Sequence, residues 1–253
     1  MTAAGIDWHI LWPALLAGLL VLATHVPLGA QVLERGIVFI DLAIAQIAGI
    51  GVIAADALGL EPQGWAVQVS ALSAALLGAL VLTWTERRWP HIQEALIGVL
   101  FVLASTAQIL MLANDPHGGE DLKDLLAGQI LWVAPAQLLR AGVLTALVLL
   151  VWFNWRERLG RVGFYLLFAL AVTASVQLVG VYLVFTSLIV PALAVRGLRG
   201  PLRLPVAYAL GAVGYLLGLA LSARFDLPSG AVVVLAMAAL APVVPWVAAR
   251  RRR

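Results

Sequence analysis

Two aspartates lie within one apolar segment of this sequence, near residues 38–60. A carboxylate in the middle of a membrane-spanning helix costs roughly 2.5–3.5 kcal/mol on insertion scales, so such residues call for a functional explanation. On a helix, Asp41 and Asp56 are about 22 Å apart along the axis and about 60° apart around it. Because carboxylate oxygens bind divalent metal ions, the two residues predict an inner and an outer position on one ion pathway.

A structural interpretation of Asp41 is equally open, since this residue can cap its helix at the inner interface and pair with Arg35. Glu94 begins another apolar segment and is interpreted either as a gate of the pathway or as an interfacial residue. Hydrogen bonds between membrane helices, which contribute about 0.6 kcal/mol each, explain the remaining polar residues of the apolar segments: Gln46, Gln108, Gln177, Ser105, Thr106, Thr173 and Ser175. For Gln46 a position on the substrate pathway is equally open.

His117 lies in a polar stretch, residues 115–121, together with aspartates and a glutamate. Imidazole and carboxylates so close together can attract a divalent cation, although a stretch of this kind is also commonly just solvated. The sequence contains no Ser/His/Asp set and no carboxylate pair whose spacing indicates catalysis. It also has no cysteine and no glycine-rich turn ending in Lys-Ser/Thr, so ATP is not expected to bind this chain.

The elements that carry these residues are long apolar segments. Hydrophobic residues make up 63% of the 253 residues and charged residues 11%, against roughly 25% charged in soluble domains. The segments fall near residues 11–30, 38–60, 64–84, 92–113, 131–154, 164–183, 184–197, 204–223 and 229–248. This predicts an all-α, polytopic membrane protein with eight or nine transmembrane helices, organised as one integral-membrane domain over residues 1–253.

One uncharged run, residues 162–195, is too long for one span and tight for two, because a span needs about 20 apolar residues. It predicts one span followed by a short or broken helix. The turns rich in arginine alternate with neutral or acidic ones, which places the basic turns and the C-terminus in the cytoplasm. The modest excess of basic residues therefore reflects topology, and no nucleic acid partner is expected.

Four stretches, in order, resemble the permease subunits of the ABC importers for zinc, manganese and iron. These are residues 35–51, the segment Glu94-Ala-Leu-Ile-Gly-Val-Leu-Phe101, residues 121–131, and residues 180–196 continued by 225–235. The resemblance implies alternating access between two permeases, as a homodimer or pseudo-dimer, in the inner membrane of a bacterium. It also implies cytoplasmic subunits that hydrolyse ATP and a periplasmic or extracellular metal-binding protein. The chain itself would be no enzyme and would hold no cofactor, the metal being its cargo.

The basic turn at residues 196–203 lies where such permeases have a short coupling helix. It follows Pro191 and presents Arg196, Arg199 and Arg203 on the inner side, which predicts contact with the ATPase. Arginines that only enforce topology are the other interpretation.

The sequence departs from the family where the second span usually carries an Asp and a His four residues apart. Gln46 takes the position of the histidine and Leu42 that of the aspartate, while Asp41 is shifted by one residue, about 100° around the helix. Because an amide oxygen is a poor zinc ligand, the site is looser, is built elsewhere, or takes no bare metal. Zinc is the first predicted cargo, followed by manganese or iron. The alternatives are a non-metal substrate or an ion-coupled secondary transporter that uses Asp41 and Asp56.

Overall fold

The computed structural model describes residues 8–60, 64–113, 115, 118–128, 130–155, 157–198 and 200–250. Over these ranges the chain is helical and has no strand, as predicted. The helices are α1 (Trp8–Arg35), α2 (Ile40–Ala57), α3 (Trp65–Arg88), α4 (Gln93–Met111), α5 (Gly118–Ala127), α6 (Pro135–Trp155), α7 (Gly160–Val179), α8 (Val181–Ala194), α9 (Arg203–Phe225), α10 (Ser229–Leu240) and α11 (Val243–Arg250).

Eight stretches of the described chain are long and apolar enough to cross a membrane. They comprise α1 to α4, α6, α7, α9 and a last stretch, Ser229–Val247, that runs through α10 into α11. A ninth apolar helix, α8, has only 14 residues. The protein is therefore a multi-pass membrane protein, and the prediction of eight or nine membrane helices with one short helix is confirmed.

The short helix α8 begins at a break whose position is set by a neighbouring segment. The sequence placed this break near residue 183, whereas the structure places it at Gly180, with φ 80° and ψ 163°. This backbone region is essentially restricted to glycine. Gly128, just after α5, packs against the break so closely that a Cβ on either glycine would overlap backbone atoms of the opposite segment.

Helix α5 was not anticipated, because it lies between the predicted apolar segments 92–113 and 131–154, where the sequence predicted no helix. Its last residue, Ala127, directs its carbonyl oxygen toward Gly230 at the beginning of α10, where a Cβ on Gly230 would be 2.6 Å away. The helix also packs against α8 and α7. It therefore belongs to the helical packing at the end of the molecule where α7 and α8 meet.

The basic ends of four helices lie together at the opposite end of the molecule. Arg203 at the start of α9 contacts Glu34 near the end of α1 at 3.1 Å. Arg161 at the start of α7 lies 3.9 Å from Glu86 near the end of α3. This arrangement gathers the arginine-rich turns on one face, as the predicted cytoplasmic side requires; this end is called the inner end below.

Helix α2 is the helix around which the predicted site residues are arranged. It packs against α3, α4 and α7 and buries much of its length. On the other side of the molecule, α1 packs against α8 and α9. There Pro27 lacks the N–H that would bond to the carbonyl of Ala23, and the hydroxyl of Tyr208 donates to that carbonyl instead, at 2.9 Å.

Candidate substrate pathway

Asp41 lies in the first turn of α2, at the inner end of the molecule. It is only 1% exposed, and neither of its carboxylate oxygens has a hydrogen-bond partner among the described residues. Its predicted alternative partner, Arg35, instead places its guanidinium 4.1 Å from the ring centre of Phe164. The structure therefore does not form the pair of Asp41 with Arg35, and the Asp41 carboxylate is buried without compensation by a protein group.

Glu94, in the first turn of α4, has a structural task in this arrangement. Its Oε1 accepts a hydrogen bond from the backbone N–H of Phe39 at 3.2 Å, and Phe39 is the residue immediately before α2. Such a bond satisfies one of the amide groups that a helix start leaves unpaired. Its other carboxylate oxygen is buried without a partner. Glu94 thus helps to fix where α2 begins, next to Asp41.

Gln46, also buried in α2, is paired with an amide of α4. The Nε2 of Gln108 donates to the side-chain Oε1 of Gln46 at 2.8 Å and lies 2.6 Å from its backbone carbonyl. Gly49 makes room for this contact, since a Cβ there would lie 2.8 Å from the Gln108 amide nitrogen. The predicted hydrogen bond between helices is confirmed for this pair. Because Gln46 Oε1 accepts this bond, one of its two lone pairs is already used.

A cavity of about 250 Å³ lies against the outer half of α2. Ala48, Gly49 and Val52 of α2 form one wall, and α3, α5, α6 and α7 supply the others. On a helical projection, Asp41 and Asp56 each lie about 30° from the middle of this wall. Both carboxylates therefore belong to the cavity-facing side of α2, at opposite ends of the helix.

Four polar side chains line the cavity: Gln68, Gln137, Thr173 and Gln177. The sequence interpretation assigned Thr173 and Gln177 only to hydrogen bonds between helices and did not single out Gln68 or Gln137. The only signal in the sequence was that each of the four is a polar residue within an apolar helix. Nothing in the local sequence shows that their side chains line the same cavity. The convergence of α3, α6 and α7 was needed to bring these four side chains to one cavity.

The other predicted residues are dispersed. Asp56 is exposed at the outer end of α2, far from Asp41, so the two cannot share one ion. Arg196 is exposed in the turn after α8, and Arg203 is engaged with Glu34. His117 and Arg199 lie outside the described residues. Within the described part of the chain, no three His, Asp or Glu side chains are grouped closely enough to hold a metal ion.

Three curated membrane proteins are similar to this chain over most of its length. An uncharacterized membrane protein of Synechocystis, slr2045, is 28% identical, with 91% of this chain and 88% of that protein aligned. The manganese transport system membrane protein MntC of Halalkalibacterium halodurans is 25% identical, over 93% of this chain and 86% of that protein. The high-affinity zinc uptake system membrane protein ZnuB of Haemophilus influenzae is 24% identical, over 92% of this chain and 95% of that protein.

The fold is also found in a solved structure, PsaBC from Streptococcus pneumoniae in complex with Fab. The superposition has a TM-score of 0.77 at 21% identity and covers 94% of this chain and 91% of that chain. The sequence profile of the ABC 3 transport family matches residues 7–162 and 156–248, which together are nearly the whole chain. The chain therefore belongs to the ABC 3 transport family, as a multi-pass membrane permease.

Proposed function

We propose that this chain is the permease of an ATP-binding-cassette importer that moves a divalent metal ion across the cytoplasmic membrane of a bacterium. The observation that carries the proposal is the buried, unpartnered carboxylate of Asp41. It lies on the same side of α2 as a polar cavity and the exposed Asp56. An intramembrane charge without a protein partner is retained where it serves an ion pathway.

Two permeases, as a homodimer or pseudo-dimer, would enclose the pathway, and separate cytoplasmic subunits would hydrolyse ATP. The turn at residues 196–203 supports contact with the ATPase, because it exposes Arg196 at the end where the basic helix termini are gathered. Arg203 has a weaker claim, since it is held by Glu34 within the chain. An extracytoplasmic binding protein would deliver the ion to the outer cavity near Asp56. The similarity to a manganese transport protein and a zinc uptake protein supports a metal as cargo.

Zinc remains the first candidate from the sequence, with manganese and iron behind it. One feature favours manganese: α2 carries no imidazole, and the side chains of its buried polar residues, Asp41 and Gln46, offer oxygen atoms to a metal. Carboxylate and carbonyl oxygens suit Mn²⁺, whereas zinc sites favour imidazole and thiolate. Transport of ⁵⁴Mn and ⁶⁵Zn, each in competition with the other unlabelled ion, ranks the two cargoes.

The experiment that tests the proposal is uptake of either radioactive metal into proteoliposomes that contain this chain and its co-purifying ATPase. We expect uptake that requires ATP on the ATPase side and that is lost in the Asp41→Ala variant. A complex that hydrolyses ATP without moving either metal would leave the architecture in place and point to a non-metal substrate. Uptake driven by an ion gradient without ATP would establish the secondary transporter, for which Asp41 and Asp56 are the only specific support.

A further inference from the structure

We propose that Phe39 is a positioning residue of the ion pathway, through which movement of the turn at residues 196–203 reaches Asp41. Phe39 directly precedes α2 and contacts α8, the helix that leads into that turn. This inference rests on the proposed function, because it concerns how ATP hydrolysis on a partner subunit changes the pathway in this chain. It is carried by a ring stack, a hydrogen bond to Glu94 and the first backbone bond of α2.

The ring of Phe39 joins the start of α2 to α8. It lies nearly parallel to the ring of Phe185, with the ring centres 6.4 Å apart and the planes inclined by 6°. Aromatic rings at separations of about 4.5–7 Å attract each other beyond what their burial contributes. Because the Phe39 ring is 47% exposed, it adds less to the buried core than a fully enclosed phenylalanine would. Its stack on Phe185 is therefore better explained as a link between two helices than as core packing.

The backbone of Phe39 holds the part of α2 that carries Asp41. Its carbonyl oxygen accepts a hydrogen bond from the N–H of Ala43 at 3.2 Å, which closes the first turn of the helix around Asp41. Its N–H donates to the Glu94 carboxylate of α4. Because a hydrogen-bonded helical turn has a fixed geometry, a displacement of Phe39 displaces Asp41 with it.

Helix α8 is suited to carry such a displacement from the basic turn. It has only 14 residues, and the break at Gly180 separates its axis from that of α7. At its other end, the backbone N–H of Arg196 donates to the carbonyl of Leu193 at 3.1 Å, which fastens the start of the turn to the helix. The helical rise places Phe185 about 17 Å from Arg196 along the axis. A tilt of α8 at the turn therefore moves Phe185 and the ring stacked on it.

The Asp41 carboxylate is sensitive to such a movement, because no other group of the described chain holds it. The residue is 1% exposed, and both of its oxygens lack a hydrogen-bond partner among the described residues. Its access to water and to an ion therefore depends on the position of the first turn of α2. A shift of this turn away from its neighbours uncovers the carboxylate, and the reverse shift buries it again.

The first test follows residue 41 directly and does not depend on the cargo. The chain has no cysteine, so Asp41→Cys gives it a single thiol, whose reaction with N-ethylmaleimide reports exposure. In the complex with the co-purifying ATPase, we expect the labelling rate of this chain to differ at least about fivefold between the nucleotide-free state and the state trapped with ADP and vanadate. Adding Phe39→Leu should abolish the difference, whereas Phe39→Tyr keeps the ring and should preserve it.

The second test measures metal uptake and ATP hydrolysis in the same proteoliposomes, with ⁵⁴Mn or ⁶⁵Zn as cargo. Phe39→Leu and Phe185→Leu should each lower the metal moved per ATP at least about threefold, with the KM for the metal nearly unchanged. Because both substitutions break the same contact, the double variant should lower this ratio no further. Phe153→Leu, at an exposed position of α6, is the matched phenylalanine control.

Labelling of residue 41 that is independent of nucleotide, or a nucleotide dependence that survives Phe39→Leu, would overturn the proposal. So would additive effects of the two single substitutions, or a fall in uptake that merely follows a fall in hydrolysis. Thermal unfolding of each variant separates loss of coupling from loss of fold. If the labelling difference is present but neither metal moves, the proposed cargo fails and this link stands. If Phe39→Leu moves metal normally, this inference fails and the proposed function stands.

Discussion

Replacing Asp41 by leucine separates a pathway role from a structural one, because the two roles predict opposite changes in stability. Leucine has the same branching as aspartate, so the substitution exchanges two buried oxygens for two methyl groups of similar shape. Neither oxygen has a hydrogen-bond partner in the described structure, so no protein contact is lost. When buried polar groups are replaced by apolar groups of the same shape, the stability of the fold is commonly unchanged or increased.

The size of the effect follows from the position of the residue. A carboxylate at the centre of a membrane helix costs roughly 2.5–3.5 kcal/mol, which is the upper bound for Asp41 in the first turn of α2. The helix dipole returns about 0.3–1 kcal/mol at that position. Asp41→Leu should therefore stabilise the fold by about 2 kcal/mol. For a chain of this length, that corresponds to a rise of ~4–8 °C in the midpoint of thermal unfolding.

The assay pairs tryptophan-fluorescence unfolding in detergent with radioactive metal uptake by the reconstituted complex. A pathway role predicts a higher midpoint together with abolished uptake. Asp56→Leu is the control, because that carboxylate is exposed and its removal should change stability by no more than about 0.5 kcal/mol. A midpoint that falls in Asp41→Leu would refute the reasoning and identify Asp41 as a structural residue of α2. Retained uptake would remove it from the pathway.

Three further substitutions test the packing and the predicted ATPase contact. Gly180→Ala should lower the midpoint of thermal unfolding by more than Gly36→Ala. Both glycines have a positive φ, which costs an alanine roughly 1–3 kcal/mol. Only at Gly180 would the added Cβ also overlap another backbone segment. Equal effects would disprove that close approach. Tyr208→Phe should cost about 0.5–1.5 kcal/mol, because the partly buried carbonyl of Ala23 loses its donor; an unchanged midpoint would show that the carbonyl finds another donor. Arg196→Glu should weaken ATPase co-purification at least about tenfold with stability unchanged, and an intact complex would assign this arginine to topology alone.

Several features of the site were accessible from sequence for a local reason. The intramembrane aspartates of α2 are visible because a charge in an apolar run is costly wherever the helix packs. Their common side follows from helical periodicity alone. The substitution of the usual histidine by Gln46 was likewise visible by resemblance. What such local features could not supply was the partner of each polar group.

Those partners depend on which helices meet. Arg35 was a reasonable partner for Asp41 by sequence separation, yet it lies over Phe164 of α7. Glu94 was interpreted as a gate or an interfacial residue, and it bonds to the backbone just before α2. Gln108 reaches Gln46 across the contact between α2 and α4. In each case the second group comes from a distant part of the chain, so no local pattern encodes the contact.

The sequence by itself determined the fold class, the approximate spans, the alternation of basic turns and the presence of a short helix after residue 162. Each of these properties depends only on a contiguous stretch of residues, because the transfer of a segment into the membrane is determined by the composition and length of that segment. Only the tertiary structure decided the position of the break at Gly180, the helix α5 and the cavity beside the outer half of α2. Each of these requires two segments that are remote in sequence to approach closely, and the free energy of that approach belongs to the pair of segments rather than to either one.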